Sequence, residues 1–220
     1  MTERATSPEV ILFDVGGVLV ELGPNPLPSD FDIPLIRYFE SGATADFEKG
    51  LIGADEFAQA IIDEFRVDVD AAALVEHFRL WPVAPFPGAI EMLSRLRQDR
   101  RIAILSNTNE LHWPRFEAEF GLFEHCDQAF GSHLLGMLKP DAEIFDHVIG
   151  ALDTDPRSIL FLDDNPANVA AAVAAGMQAE LVRGFDAAAR VLGERGIAGT
   201  DKTRTTAAEE HGREGQGKAS

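Results

Sequence analysis

Val10-Ile11-Leu12-Phe13-Asp14-Val15-Gly16-Gly17 is the stretch on which the reading of the fold turns. Four apolar residues without a polar face, then an acid and a pair of glycines, describe a strand buried on both sides that runs into a tight loop. Arg101–Ser106 (RIAILS) and Ser158–Asp163 (SILFLD) repeat that grammar, each ending in a polar group, and Gln178–Val182 is a weaker fourth strand. Helical spacing separates them. Ile90, Leu93 and Leu96 follow Pro87-Gly88, and Ile144, Phe145, Val148, Ile149 and Leu152 follow Pro140. Asn165 is a cap, Pro166 suits the first helical position and Gly176 is a stop. Strands alternating with helices predict an α/β fold with a doubly wound, parallel, Rossmann-like sheet.

Residues 22 to 86 break the rhythm. A proline-rich opening from Gly23 to Pro28 leads into short helical patterns: Ile33, Ile36 and Phe39; Phe57, Ile61 and Phe65; Leu74, Val75 and Phe78. Pro82, Pro85 and Pro87 close the segment. The expected organisation is a catalytic core over 1–21 and 87–196, with an all-helical cap over 22–86 inserted after the first strand. From 197 to 220 the composition turns polar, which predicts a disordered tail.

Composition narrows the classes of function. The formal net charge is −18, and the lysines are Lys49, Lys139, Lys202 and Lys218. Such a chain has no broad basic surface for a nucleic-acid backbone, so an anionic substrate must be held in a small pocket of local positive charge. No apolar run reaches the ~20 residues of a membrane span. Met1 to Glu9 lacks the apolar stretch of a signal peptide. Cys126 is the lone cysteine, which excludes an intrachain disulfide and a multi-cysteine zinc site. The expected setting is the cytoplasm, with no membrane partner.

Ligands of an open parallel sheet bind beyond the carboxyl ends of its strands. Collected there are Asp14, Gly16 and Gly17; Ser106, Asn107 and Thr108; Lys139; and Asp163 and Asp164. Several acids, one lysine and hydroxyls on one edge make a poor core and a reasonable site for Mg²⁺ and phosphate, because Mg²⁺ prefers carboxylate and carbonyl oxygens.

Asp14-Val-Gly-Gly-Val-Leu, Ser106-Asn-Thr, Lys139-Pro and Asp163-Asp-Asn-Pro-Ala-Asn168 resemble the four ordered motifs of the haloacid dehalogenase-like hydrolase superfamily. The resemblance spans roughly residues 9 to 184. SNTNELH, LGMLKPDAEIFDHV and FLDDNPANVAAAVAAGM look most like bacterial α-D-glucose-1-phosphate phosphatases and the phosphatase domain of bifunctional epoxide hydrolases. It implies a Mg²⁺-dependent phosphomonoester hydrolase working on a small phosphorylated metabolite, with a sugar phosphate the best candidate. Asp14 would attack phosphorus and form an aspartyl phosphate. Ser106, Lys139, Gly17 and Asn107 would hold the phosphoryl group. Asp14, the Gly16 carbonyl and Asp164 would hold Mg²⁺, with Asp163 close by and Asn168 orienting Asp164.

One position departs from the pattern. Phosphatases of the superfamily usually carry a second aspartate two residues after the nucleophile, which protonates the leaving oxygen, and here that residue is Gly16. Glycine keeps the carbonyl ligand and offers no proton. An acid from the cap, substrate assistance, slow turnover, or a non-catalytic phosphate- or partner-binding protein are the readings this leaves open. A dehalogenase would leave Asp163-Asp164 without a purpose, and a phosphonatase would need a cap lysine, for which Lys49 is the candidate. His112 and His133 follow strand-end loops and are candidates to approach the pocket. Cys126 is expected to be a small packed residue.

Overall fold

The computed structural model of the chain describes residues 7–26 and 35–197, and side chains at 35 and 36 are not described. Leu27, Pro28 and Ile33, like the tail beyond 197, lie outside the described residues. The strands are β1 (Val10–Phe13), β2 (Val20–Leu22), β3 (Pro82–Pro85), β4 (Arg101–Ser106), β5 (Gln128–Gly131), β6 (Ile159–Asp163) and β7 (Gln178–Leu181). Five of them form a parallel sheet in the order β5-β4-β1-β6-β7.

β1 is central, and its sequence shows why. Ile11 and Phe13 face one apolar cluster, while Val10 and Leu12 face a second on the opposite side. Successive strand residues point to opposite faces, so a strand covered on both sides must be apolar at every position. Phe13 pairs with Ile104 of β4 and with Leu162 of β6. The three strands therefore end together.

Helices α1 (Leu35–Phe39), α2 (Gly42–Glu48), α3 (Ala54–Phe65) and α4 (Ala71–Arg79) lie between β2 and β3, which pair as an antiparallel ribbon at the root of this segment. They enclose a cluster of their own around Tyr38, Phe47, Phe57, Ile61, Leu74 and Phe78. Phe47 stacks on Phe57 with ring centroids 4.4 Å apart, and Phe78 sits 5.0 Å from Phe57. α5 (Ala89–Leu96), α6 (Ser132–Leu135), α7 (Ala142–Leu152), α8 (Pro166–Ala174) and α9 (Phe185–Glu194) belong to the sheet's layers. α8 begins as its sequence demands: the Asn165 side chain accepts the Ala167 N–H at 2.9 Å, with Pro166 next. No helix among the described residues is long and apolar enough to cross a membrane.

Polar groups tie the helical segment to the sheet domain. The Gly53 cap of α3 has no side chain to offer, and Glu110 supplies the missing acceptor by taking the Ala54 N–H at 2.8 Å. His112 Nε2 donates to the Phe78 carbonyl at 2.8 Å, and the Arg115 guanidinium donates to the carbonyls of Arg79 and Pro82. Ser132 Oγ lies 2.6 Å from the Glu48 carbonyl.

Three features escape the sequence pattern. β5 is Gln-Ala-Phe-Gly, too short and too polar at its start to register as a buried run. The β2–β3 ribbon contains two prolines, and α2 buries only Thr44 and Phe47.

Candidate active site

Because β4, β1 and β6 are neighbours, their carboxyl ends bring Ser106, Asp14 and Asp163 side by side. The Asp14 N–H donates to Leu162 O at 2.9 Å, which prolongs the β1–β6 ladder by one residue and fixes where the Asp14 side chain emerges. Lys139, from the loop before α7, reaches into this edge. Its Nζ lies 2.9 Å from Asp14 Oδ1, 2.7 Å from Asp163 Oδ2 and 3.0 Å from the Leu105 carbonyl. Three N–H groups meet three acceptors, so the buried ammonium is fully hydrogen-bonded. Burial works to lower the Lys139 pKa, but Asp14 and Asp163 outweigh it and the net shift is upward.

Asn107 makes that placement exact in register. Its Nδ2 donates to Lys139 O and its Oδ1 accepts the Lys139 N–H, both at 2.9 Å. The side chain expected to hold phosphate is therefore committed to the Lys139 backbone. Gly17 also differs from its expected role. Its N–H donates to Val20 O and its carbonyl accepts from Gly184 N–H. With φ at +72°, a Cβ there would stand 2.5 Å from Asp164 Oδ2. Gly17 makes room for Asp164 and has no free amide for phosphate.

Asp163 and Asp164 divide their labour. Asp163 is fully buried and accepts from Lys139 Nζ, from the Asn165 N–H at 2.8 Å and from Asn168 Nδ2 at 3.1 Å to each oxygen. Asn168 thus orients Asp163, where the sequence suggested Asp164. At four and five residues' separation, Asn168 is about one helical turn from either acid, so spacing alone does not distinguish them. Asp164 is half-buried and lines the cavity.

Carboxylate oxygens of Asp14, Asp163 and Asp164 fall within 4.8 Å of one another, against one lysine. The surplus negative charge registers on the acids. Burial pushes Asp14 up to about 7; Lys139 opposes the shift, and Asp163 and Asp164 add to it. Asp164 is raised by burial and then by Asp163, with Lys139 opposing. A cation at this point would relieve the repulsion, and an all-oxygen donor set of Asp14, Asp164 and the cavity-lining Gly16 suits a hard ion such as Mg²⁺.

The acids open into a cavity of about 580 Å³ that Ser106, Thr108 and Lys139 line from the sheet side. Thr108 Oγ1 is buried with no hydrogen-bond partner, so a polar acceptor is wanting there. Leu22, Phe39, Thr44, Glu48 and Trp81 line it from the helical segment and its root. Glu48 is the functional candidate that sequence reading missed. Burial pushes its carboxyl up to about 8, with Lys139 opposing and Asp14 reinforcing the shift.

The remaining candidates fall outside the chemistry. His112 lines the cavity, but burial lowers it to about 4, against the Phe78 carbonyl bond that favours its charged form. With Nε2 on Phe78 O and Nδ1 beside Asn109 Nδ2 at 3.2 Å, it is a neutral staple between the two halves. His133 is not among the cavity's lining residues. Lys49 lies outside the lining as well, 4.0 Å from Asp141, which removes the support for a phosphonatase lysine. Cys126 is packed, its thiol pushed up to about 11 by burial.

The carboxyl edge of the parallel sheet thus holds a buried lysine that bridges two aspartates beside a third. The chain belongs to the haloacid dehalogenase-like hydrolases, whose family model matches residues 8–176. D-ribitol-5-phosphate phosphatase of Bacteroides thetaiotaomicron is 29% identical over 177 residues, covering 72% of this chain and 84% of that protein. Flavin mononucleotide hydrolase 1 of Arabidopsis thaliana is 31% identical over 194 residues, covering 86% and 78%. A haloacid dehalogenase family enzyme of B. thetaiotaomicron, crystallised with magnesium and inorganic phosphate, superposes with a TM-score of 0.68 at 24% identity, covering 90% of this chain and 99% of that one. That likeness establishes a shared fold.

Proposed function

We propose that this chain is a Mg²⁺-dependent phosphomonoester hydrolase for small phosphorylated metabolites, with Asp14 as the nucleophile. The observation that carries the reading is the Lys139 bridge between Asp14 and Asp163, set beside Asp164 in one cavity. The named activities of the ribitol phosphate and flavin mononucleotide relatives support the substrate class, and a sugar phosphate is the finer choice.

Asp14, Asp164 and the Gly16 carbonyl would hold Mg²⁺, which supplies charge neutralisation for the acids and the phosphoryl oxygens. Lys139 orients Asp14 and favours its ionised form against burial, and its charge favours the extra negative charge that gathers on the phosphoryl group. Ser106 Oγ, whose one bond to the Asn107 carbonyl is long at 3.4 Å, is available to a phosphoryl oxygen. Thr108 Oγ1 and the backbone N–H of Asn107 are the further donors on that wall. The Asp14 carboxylate attacks phosphorus, the leaving oxygen departs, and water then cleaves the aspartyl phosphate. α1–α4 act as a cap that walls off the cavity from bulk water. The cytoplasm is the proposed setting.

A panel of phosphorylated metabolites, assayed for released phosphate with Mg²⁺ and with excess chelator, tests the reading. Turnover of at least one small phosphomonoester that vanishes with chelator is expected. Equal turnover in both conditions would remove the metal, and no turnover of any member would favour a binding role.

A further inference from the structure

We propose that Glu48, delivered from the C-terminal end of α2, is the general acid that protonates the leaving oxygen and the base that then activates water. The inference rests on the phosphatase reading above and supplies the group that Gly16 cannot.

Elimination leads to Glu48 first. An alkoxide leaves phosphorus poorly unless a proton reaches it, and the donor must face the cavity. Asp14 is the nucleophile. Asp163 is fully buried behind Lys139 and Asn168, and Asp164 would be taken up in holding the cation. His112 has its Nε2–H on the Phe78 carbonyl. Tyr38, raised well above its usual value by burial and then by Glu48, holds its proton too tightly. Glu48 is the cavity-lining carboxyl that remains among the described residues.

Its position is built rather than incidental. The Ser132 hydroxyl lies 2.6 Å from the Glu48 carbonyl and 2.9 Å from Thr108 O, and it accepts the Thr108 N–H at 2.8 Å. One side chain thus ties the Glu48 backbone to the loop that follows Ser106. Two residues on, Gly50 has φ +67° and packs so closely on the His133 carbonyl that any Cβ would collide with it. The charged groups that act on Glu48 are Lys139 and Asp14, which line the same cavity, and Glu48 acts in turn on Tyr38 of α1. Among these, burial and Asp14 prevail over Lys139 and keep the carboxyl protonated up to about pH 8.

The proton balance closes. As the Asp14 oxygen bonds to phosphorus and the ester P–O bond breaks, the Glu48 O–H proton passes to the departing oxygen, leaving an alcohol and a Glu48 carboxylate. That carboxylate takes a proton from water as the water oxygen attacks phosphorus. The P–O bond to Asp14 then breaks, and hydrogen phosphate leaves with Glu48 protonated again.

The test compares a sugar phosphate with p-nitrophenyl phosphate, whose leaving group needs no proton, in wild type, Glu48→Gln and Glu48→Ala. Glu48→Gln is expected to lower kcat/KM for the sugar phosphate by ~10²-fold or more, while kcat/KM for the aryl phosphate, which reads only formation of the aspartyl phosphate, stays within about threefold. The fall in wild-type kcat/KM above about pH 8 for the sugar phosphate should disappear in that variant. Added formate or acetate should restore sugar-phosphate turnover to Glu48→Ala. Equal losses in kcat/KM on both substrates, or an unchanged sugar-phosphate kcat/KM and pH limb, would overturn the assignment. A wild type inert toward both esters would instead sink the phosphatase reading, and this inference with it.

Discussion

Gly17→Ala puts the geometry of the acid cluster to a direct test. Gly17 sits at φ +72°, where an L side chain costs roughly 1–2 kcal/mol. Its new methyl would stand 2.5 Å from Asp164 Oδ2, inside the 3.0 Å that real Cβ atoms essentially never breach. The carboxylate must retreat by at least about 0.5 Å, away from the point where it faces Asp14. At ~2–4 °C per kcal/mol for a chain of this size, the strain alone lowers the melting temperature by ~2–8 °C. The larger effect should fall on the cation, because displacing one of the two carboxylates proposed to hold Mg²⁺ should weaken its binding ~10-fold or more. Thermal melts in chelator isolate the strain, and Mg²⁺ titration by calorimetry reads the ligand displacement. A folded Gly17→Ala protein that binds Mg²⁺ like the wild type would refute the claim that Gly17 exists to admit Asp164.

Asp14→Asn should keep the wild-type melting temperature within a few degrees and lose turnover to background, read by phosphate release; retained turnover would remove Asp14 as nucleophile. Asp163→Ala should cost about 3–5 kcal/mol in denaturant unfolding, because it strips a buried partner from Lys139. Asp164→Ala should leave stability nearly unchanged and weaken Mg²⁺ more than Asp163→Ala does; the reverse order would mean the two roles are exchanged. Gly16→Asp should fold, since Gly16 has no positive φ and a Cβ meets only the flexible Leu22 side chain at 3.2 Å. With Glu48 already supplying the proton, it should leave the alkyl-to-aryl ratio of kcat/KM near that of the wild type and restore alkyl turnover only when combined with Glu48→Gln; a collapsed melting temperature would show that the loop cannot accept a side chain. Phe57→Ala should destabilise the protein by about 3–5 kcal/mol, because Phe57 is fully buried between Phe47 and Phe78.

The sheet was legible because burial on both faces leaves a plain trace in sequence. β1, β4 and β6 are each apolar to within a residue of their polar ends, and those ends carry Asp14, Ser106 and Asp163. α8 was legible through its cap chemistry at Asn165-Pro166 and the positive φ of Gly176. The division of work within the cluster was not. Whether Asn168 serves Asp163 or Asp164 depends on which way adjacent side chains leave the end of β6, and spacing alone is the same for both. Asn107 and Gly17 were read as phosphate ligands from their place in the motifs. Their hydrogen bonds to the Lys139 backbone and to Val20 and Gly184 exist only in three dimensions.

Glu48 was hidden for a different reason. α2 is seven residues long and buries few of them, so it gives no periodic signal. Its capping Ser41 looks like any loop serine, although its side chain accepts the Ala43 N–H at 3.2 Å. In Phe47-Glu48-Lys49-Gly50 the lysine lies outside the cavity lining, 4.0 Å from Asp141, and the acid lines the cavity. The glycine was the better clue. Gly50, with a positive φ and pressed on the His133 carbonyl, follows by two residues the acid that shares the cavity with Asp14 and Lys139.

The central claim is that Asp14 itself becomes phosphorylated. Wild-type protein mixed with Mg²⁺ and saturating substrate, quenched in acid within a turnover and digested, should yield the Asp14 peptide heavier by one phosphoryl group. The added mass should be absent with chelator and absent in Asp14→Asn. Active turnover with no phosphoryl group on that peptide, or with the group on another residue, would contradict the account.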